Sequence, residues 1–150
     1  MKREKFLWPL SQSHHRALVA AKRVREILGN ASQADLSGEV EKAFRLVQGL
    51  LKGELRQHFL DEEEMLGLFE VHVGKNDPDS NRVRDDHRLL ESLAAEKTKE
   101  SLLRFAETLS GHVRFEEDVV FGRIQEVLGA EEKKTTGERL TRHSCGMPGE

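Results

Sequence analysis

The chain contains, from residue 109 to residue 121, the stretch Leu109-Ser-Gly-His-Val-Arg-Phe-Glu-Glu-Asp-Val-Val-Phe121. Within it, His112 and Glu116 are four residues apart, a spacing that places two side chains on one face of an α-helix, one turn apart. The other residues of that face are apolar and recur at helical spacing: Phe105, Leu109, Val119 or Val120, Ile124 and Val127. The stretch therefore predicts an amphipathic helix that carries a histidine and a carboxylate within its buried face.

A second stretch repeats this arrangement earlier in the chain. His58 and Glu62 are also four residues apart, and they interrupt an apolar series that consists of Leu51, Leu55, Met65 or Leu66, and Phe69. Burying two ionisable groups on each of two helices is costly unless something pairs with them. We expect a metal centre to be that partner.

Four amphipathic segments follow one another along the chain, and no stretch alternates as a strand would. Helix 1 is expected to follow Pro9 and to end near Leu28, and helix 2 to begin near Gly38, with Gly67 as a point where it could bend or break. Helix 3 is expected to be capped by Ser80, and helix 4 to run from about Ser101 to Leu128. Short connections between such helices predict an all-α fold, an antiparallel up-down four-helix bundle over residues 1–129.

The remaining residues, 130–150, are polar and contain Gly137, Gly146 and Gly149. We expect them to form a flexible, disordered tail with no more than a helical turn near Leu140.

Each predicted helix contributes one histidine to its apolar face. On helix 1 this is His14, whereas His15 falls beside Lys22 and Arg25; because the start of the helix is uncertain, the choice between the two stays open. A single histidine on an apolar face is more often a core residue than a ligand, but four of them with two glutamates at matching positions are hard to attribute to chance. The predicted metal ligands are His14, His58, Glu62, His87, His112 and Glu116.

The donor types indicate which metals suit such a site. Imidazole and carboxylate without thiolate suit iron, manganese or zinc. Two carboxylates from different helices can bridge two ions about 3.5–4 Å apart. The Glu-x-x-His motif of ferritin-type sites is absent, since Glu54 precedes His58 by four residues, and the His-Glu-x-x-His motif of metalloproteases is absent too.

With these residues in place, the sequence resembles the hemerythrin-like (HHE cation-binding) proteins over about residues 10 to 128. The resemblance rests on four motifs: Leu10-Ser-Gln-Ser-His-His-Arg-Ala-Leu18, His58-Phe-Leu-Asp-Glu-Glu-Glu64, Asp86-His-Arg-Leu-Leu90 and His112-Val-Arg-Phe-Glu-Glu117. It implies a four-helix bundle around a non-haem di-iron centre. In that centre Glu62 and Glu116 would bridge the ions, and His14, His58, His87 and His112 would be terminal ligands.

The chain departs from the oxygen-carrying hemerythrins at two positions. Those proteins have a second histidine one turn after the helix 3 ligand, where this chain has Glu91, and an aspartate bridge one residue beyond Glu116. Glu91 could bind metal, could hydrogen-bond a ligand imidazole, or could point to solvent. The ligand set thus differs from that of the dioxygen carriers.

Composition excludes several classes of protein. A formal net charge of −3 over 150 residues, with basic and acidic residues interleaved, indicates no nucleic-acid partner. No apolar run is long enough for a membrane span, and Phe6-Leu-Trp8 is too short for the core of a signal peptide. Cys145 is the single cysteine, so an intrachain disulfide is excluded, and we expect a cytoplasmic protein. The oligomeric state stays open.

Three functions are compatible with these features. The first is a binding or sensing protein whose two iron ions take a small ligand such as dioxygen or nitric oxide, or which handles iron. The second is a di-iron redox enzyme that consumes peroxide or nitric oxide. The third is a metal-free helical interaction module in which the histidines are structural.

Overall fold

The computed structural model describes residues 2–145, and the regular secondary structure over this range is exclusively helical. Five helices follow the short 3₁₀ turn Lys5–Leu7: α1 (Trp8–Gly29), α2 (residues 36–73), α3 (Pro78–Ala94), α4 (residues 99–127) and α5 (Ala130–Cys145). Two of them contain a π turn: α2 comprises Leu36–Leu50, the π turn Leu51–Leu55 and Arg56–Val73, and α4 comprises Lys99–Phe115, the π turn Glu116–Val120 and Phe121–Val127. The prediction of an all-α protein is confirmed.

Several predicted helix boundaries were wrong in detail. Pro9 lies in the first turn of α1, where its missing N–H would have had no helical partner in any case. Asp77, rather than Ser80, caps α3, since its side chain accepts a hydrogen bond from the Ser80 backbone N–H at 3.1 Å. Gly67 does not interrupt α2, which ends instead at Gly74, whose φ of 101° favours glycine.

Helix α3 runs antiparallel to both α2 and α4, because in the hydrogen bonds that join them an earlier residue of one helix pairs with a later residue of the other. Between α2 and α3 these are Glu70 with Arg84 and Gln48 with Ala94, and between α3 and α4 they are Asp86 with His112 and Asp77 with Arg123. Helix α1 is antiparallel to α4, since its start meets the end of α4 (His14 with Glu117) and Arg25 pairs with Ser110.

A polar layer divides the core into two apolar clusters. On α1, His14 lies between Leu10 of one cluster and Ala17 of the other. On α3, His87 lies in the same way between Val83 and Leu90. The histidines and glutamates of α2 and α4 fall at the same boundary, so the polar residues of four helices meet at one level of the molecule.

The predicted flexible tail over residues 130–150 is wrong for residues 130–145, which form α5. The helix packs through Leu140, which is only 2% exposed and belongs to the apolar cluster near the N-terminus. Gly137 permits a close approach, because a Cβ at this position would lie 3.1 Å from the Cβ of Phe6. Residues 146–150, with the rest of the expected tail, and the Cys145 side chain lie outside the described part of the chain.

The length and polarity of the described helices determine whether any of them could span a membrane. Among residues 2–145, each helix is too short or too polar to cross a lipid bilayer.

Candidate metal centre

All six residues predicted as metal ligands come together in the polar layer. Helices α1 and α3 each supply one histidine, while α2 and α4 each supply a histidine and a glutamate one turn apart. All six side chains are buried: His14, His58, Glu62, His87, His112 and Glu116. The i, i+4 spacing on two apolar helix faces is what directs the two glutamates toward the same point.

The six side chains form two overlapping groups, each with potential ligand atoms within 4.8 Å of one another. The first group consists of His14, His58, Glu62 and Glu116, and the second of Glu62, His87, His112 and Glu116. Both glutamates therefore belong to both groups, whereas each group has its own two histidines.

The glutamate oxygens lie between the two pairs of histidines. Oε2 of Glu62 is 2.8 Å from Nε2 of His58, and Oε1 of the same carboxylate is 2.9 Å from Nε2 of His87. Oε1 of Glu116 is 2.9 Å from Nε2 of His14 and 3.0 Å from Nε2 of His112. Each carboxylate thus faces both groups, as a bridging ligand would.

The arrangement suits a cation better than it suits internal hydrogen bonding. The Nε2 atoms of His14 and His58 lie 3.1 Å apart, so at most one proton can lie between them. Oε2 of Glu62 and Nε2 of His112 are buried and lack a hydrogen bond of acceptable geometry, despite their close neighbours. Buried imidazole nitrogens and carboxylate oxygens that converge on one place are the donor set that a metal ion requires.

Three acidic residues outside this cluster orient three of the four imidazoles. In each case the carboxylate accepts a hydrogen bond from Nδ1, the ring nitrogen that faces away from the cluster. The pairs are His14 with Glu117 at 2.7 Å, His87 with Glu63 at 2.7 Å, and His112 with Asp86 at 3.0 Å. The sequence analysis missed these three acids, although each is the immediate neighbour of a predicted ligand and could have been found by that adjacency.

The π turn Glu116–Val120 begins with two consecutive acids, Glu116 and Glu117, and both of them reach the imidazole of His14. Oε1 of Glu116 meets Nε2 of His14, while Oε2 of Glu117 meets Nδ1 of the same ring. A π turn holds an additional residue per turn and rotates the helix surface at that point, and such turns are frequent at functional sites.

The charges of the cluster shift the pKa values of its members. Burial alone would lower the pKa of His14, but hydrogen bonds to Glu116, Glu117 and Glu62 outweigh burial and raise it well above 6.5. The pKa of His112 is likewise raised well above 6.5, since the charge of Glu116 and the hydrogen bond to Asp86 outweigh burial. Burial opposes ionisation of Glu62, yet the neighbouring histidines hold its pKa well below 4.5. Without a metal, the carboxylates of the layer therefore favour the protonated form of the His14 and His112 imidazoles.

The structure also shows where the residues lie whose roles the sequence left open. His14 is buried in the cluster, whereas His15 is exposed on the surface of α1. Glu91 points away from the cluster and pairs with Arg56 at 3.3 Å, with its side chain 40% exposed. It neither joins the cluster nor contacts an imidazole there.

Comparison with protein-family models gives a match over most of the chain. The family model described as the hemerythrin HHE cation binding domain matches residues 8–124, which include all six residues of the cluster and the three acids beside them. Comparisons with curated protein sequences and with solved structures give no significant match.

Proposed function

The chain belongs to the hemerythrin HHE cation-binding family, and on that premise we propose that its polar layer binds two non-haem iron ions. The four helices that supply the ligands, within residues 1–129, form the hemerythrin-like four-helix bundle of this proposal, and α5 packs against it. His14 and His58 would hold one ion and His87 and His112 the other, with Glu62 and Glu116 bridging them.

The observation that carries the proposal is that the two groups of four residues share both glutamates. A single ion would need only one such group. Two ions about 3.5–4 Å apart require carboxylates placed between two sets of terminal ligands. Two histidines with carboxylates are a typical donor set for non-haem iron, although manganese or zinc also accepts it.

The function that this centre supports best is the binding or sensing of a small ligand such as dioxygen or nitric oxide, or the handling of iron. Each group offers two imidazoles and two shared carboxylates, and Glu91, at the position of the additional histidine of oxygen carriers, points to solvent. Non-haem iron held by so few protein donors keeps positions for a further small ligand. The bound iron would supply the redox and ligand-binding chemistry, while the chain orients the ligands and excludes water.

A metal analysis with optical spectra tests the proposal. Protein purified without added metal is expected to contain iron and to show a ligand-to-metal absorption band that changes under air and under nitric oxide. Iron well below one ion per chain together with no such band would contradict it. Repeated turnover of peroxide or nitric oxide by the ferrous protein, rather than a single oxidation, would show the alternative, a di-iron enzyme.

One pair of variants separates a ligand role from a structural one. Glu116→Ala removes a shared carboxylate, and Glu91→Ala makes the same change at an acid that faces solvent. We expect Glu116→Ala to lose metal affinity by at least the roughly tenfold that removal of an outer partner costs, with helicity retained. Normal metal content in Glu116→Ala would argue against a bridging role for Glu116. A melting temperature that a chelator does not change would support the third alternative, a metal-free interaction module.

A further inference from the structure

The imidazoles of His87 and His112 each have an acid of their own at Nδ1. Oε2 of Glu63 lies 2.7 Å from His87, and Oδ2 of Asp86 lies 3.0 Å from His112. Among the described residues, no lysine or arginine nitrogen lies within 4.0 Å of the Glu63 carboxylate, and Asp86 has only Arg82, at 4.0 Å. The negative charge of each acid therefore acts mainly on its imidazole.

The imidazoles of His14 and His58 are supported less well. Oε2 of Glu117 lies 2.7 Å from Nδ1 of His14, and the same oxygen accepts a hydrogen bond from the Ser11 hydroxyl at 2.8 Å. Oε1 of Glu117 lies 3.1 Å from the guanidinium of Arg3. Nδ1 of His58 is buried and has no hydrogen-bond partner among the residues that the structure describes. One of these two imidazoles thus shares its acid with a cation, and the other has no acid.

The missing partner of His58 becomes important when a metal binds. A metal on Nε2 of an imidazole leaves the ring proton on Nδ1, where it needs an acceptor. Ligand histidines almost always have such an acceptor, and its removal lowers metal affinity by about 10- to 100-fold. The side of the layer with His58 carries this penalty in the sequence as it stands, whereas the side with His87 and His112 does not.

Arg3 reduces the support that Glu117 gives to His14. An acid strengthens a ligand imidazole when its negative charge accepts the ring N–H, and a guanidinium at 3.1 Å neutralises part of that charge. Nη2 of Arg3 also donates a hydrogen bond to the Glu117 carbonyl at 2.6 Å, and the Arg3 side chain is only 18% exposed. The guanidinium is therefore held in place, and it lies before the residues that the family model matches.

We propose that the two metal positions of the layer are unequal: His87 and His112 hold the first ion, and His14 and His58 hold the second ion more weakly. This ranking rests on the proposed function, because it orders the two positions of that centre. Glu62 and Glu116 belong to both positions and do not distinguish them. The outer partners do, and the absence of one corresponds to at least about tenfold in affinity. The weaker position is where an ion enters or leaves while the first ion stays bound.

The direct test is a zinc titration of metal-free protein with ¹⁵N-labelled histidine, followed by NMR, with each ring signal assigned from a single-histidine variant. The ring nitrogens of His87 and His112 are expected to shift with the first equivalent of zinc, and those of His14 and His58 with the second. Repulsion between two cations weakens whichever ion binds second, so the order of the shifts carries the result. Shifts of His14 and His58 first, or of all four rings in parallel, would overturn the ranking.

The same titration distinguishes failure of the ranking from failure of the proposed function. A protein that binds no zinc would overturn both. Saturation at one ion, held by His87 and His112, would contradict a two-ion centre and support the ranking. Two ions that bind in the reverse order would contradict the ranking and leave the two-ion centre intact.

A variant of Arg3 tests the weaker position. Arg3→Gln removes the guanidinium from Glu117, and Lys2→Gln removes the adjacent, exposed cation as a matched control. Arg3→Gln is expected to raise the affinity for the second ion by up to about tenfold, because the full charge of Glu117 then acts on His14. The first ion in this variant, and both ions in Lys2→Gln, should bind as before. A second ion that binds no more tightly in Arg3→Gln would refute the role of Arg3.

A variant of Glu63 tests the stronger position. Glu63→Gln removes the charge beside His87, and Glu64→Gln makes the same change at the next residue, whose side chain is 64% exposed and pairs with Arg139 at 3.3 Å. Glu63→Gln is expected to weaken binding of the first ion by about tenfold and to bring the shifts of the four rings closer together, while Glu64→Gln retains their order. Unchanged affinity and order in a folded Glu63→Gln protein would show that the outer acids do not rank the two positions.

Discussion

Asp86→Asn tests whether the acids outside the cluster determine metal affinity. Oδ2 of Asp86 lies 3.0 Å from Nδ1 of His112, a fully buried ring, and the Asp86 side chain is 19% exposed. Its other ionic neighbour, Arg82, is 4.0 Å away on the same helix and is exposed. The substitution therefore acts mainly on one interaction, that with His112.

The size of the effect follows from what asparagine retains. Loss of an outer partner typically lowers metal affinity by about 10- to 100-fold. Asparagine has nearly the same shape and can still accept the hydrogen bond through its carbonyl, so only the charge is lost. We therefore expect metal affinity to fall by the lower end of this range, about tenfold, which corresponds to about 1.4 kcal/mol of binding free energy.

The same substitution should have a smaller effect at lower pH. Burial lowers the pKa of His112, but the charge of Glu116 and the hydrogen bond to Asp86 raise it well above 6.5. Removing the Asp86 charge lowers this pKa, so fewer protons compete with metal for the ring. At pH values where the His112 imidazole of the metal-free protein is protonated, this weaker competition from protons partly offsets the loss of metal affinity.

The measurement is a zinc or ferrous titration against a competing chelator at several pH values, with circular dichroism to confirm folding. Asp85→Asn is the matched control, since Asp85 is the adjacent acid of α3, is 67% exposed at its side chain and pairs only with Arg88. Affinities that agree between the two variants at all pH values would refute the role assigned to Asp86.

Two further predictions concern the choice of histidine and the fifth helix. His14→Ala is expected to lower metal content strongly and His15→Ala to leave it unchanged, because only His14 reaches the cluster. Metal analysis of the two variants measures this difference. Equal losses of metal in both variants would contradict the assignment of His14. Leu140→Ala is expected to cost about 2–5 kcal/mol in the free energy of unfolding, as for a buried leucine in a packed core, whereas Leu60→Ala, at an exposed leucine of α2, should cost little. Denaturant titration measures both, and a Leu140 variant as stable as the Leu60 variant would mean that α5 does not pack.

The polar layer could be predicted from sequence because it breaks a strong pattern. Apolar residues at helical spacing fix which face of each helix is buried, so a histidine or glutamate on that face is conspicuous. His58 with Glu62 and His112 with Glu116 showed this directly. The single histidines of α1 and α3 could be assigned only because the other two helices had defined the level of the site.

The three acids beside the cluster and the fifth helix could not be predicted from hydrophobic periodicity. Glu63, Glu117 and Asp86 lie at the edges of the buried faces, where a charged residue looks like an ordinary solvated one. Helix α5 buries one large apolar side chain, Leu140, approaches Phe6 at Gly137, and makes polar contacts such as those of Arg139 and His143 with Asp61. Hydrophobic periodicity does not detect such contacts, so the segment resembled a tail.

The protonation of the polar layer makes the stability of the metal-free protein depend on pH. The pKa values of His14 and His112 are raised above 6.5 in the folded state, so their contribution is fully present below pH 6.5 and is lost as pH rises through the raised values. The pKa of Glu62 is lowered below 4.5, so its contribution is present above pH 4.5 and is lost as pH falls through the lowered value. These groups favour the metal-free fold most strongly between about pH 4.5 and pH 6.5.

Bound metal should compensate for the stability that the metal-free fold loses as pH rises through the raised pKa values of the imidazoles. An imidazole must be neutral to bind a metal, so each ion displaces protons from the layer and binds more tightly as pH rises through the raised pKa values. The stabilisation by metal therefore grows over the range in which the protons cease to stabilise the fold. Thermal melts with and without metal from pH 5 to pH 9 measure both effects, and a metal-induced increase in melting temperature that is the same at every pH would show that metal does not replace protons in this layer.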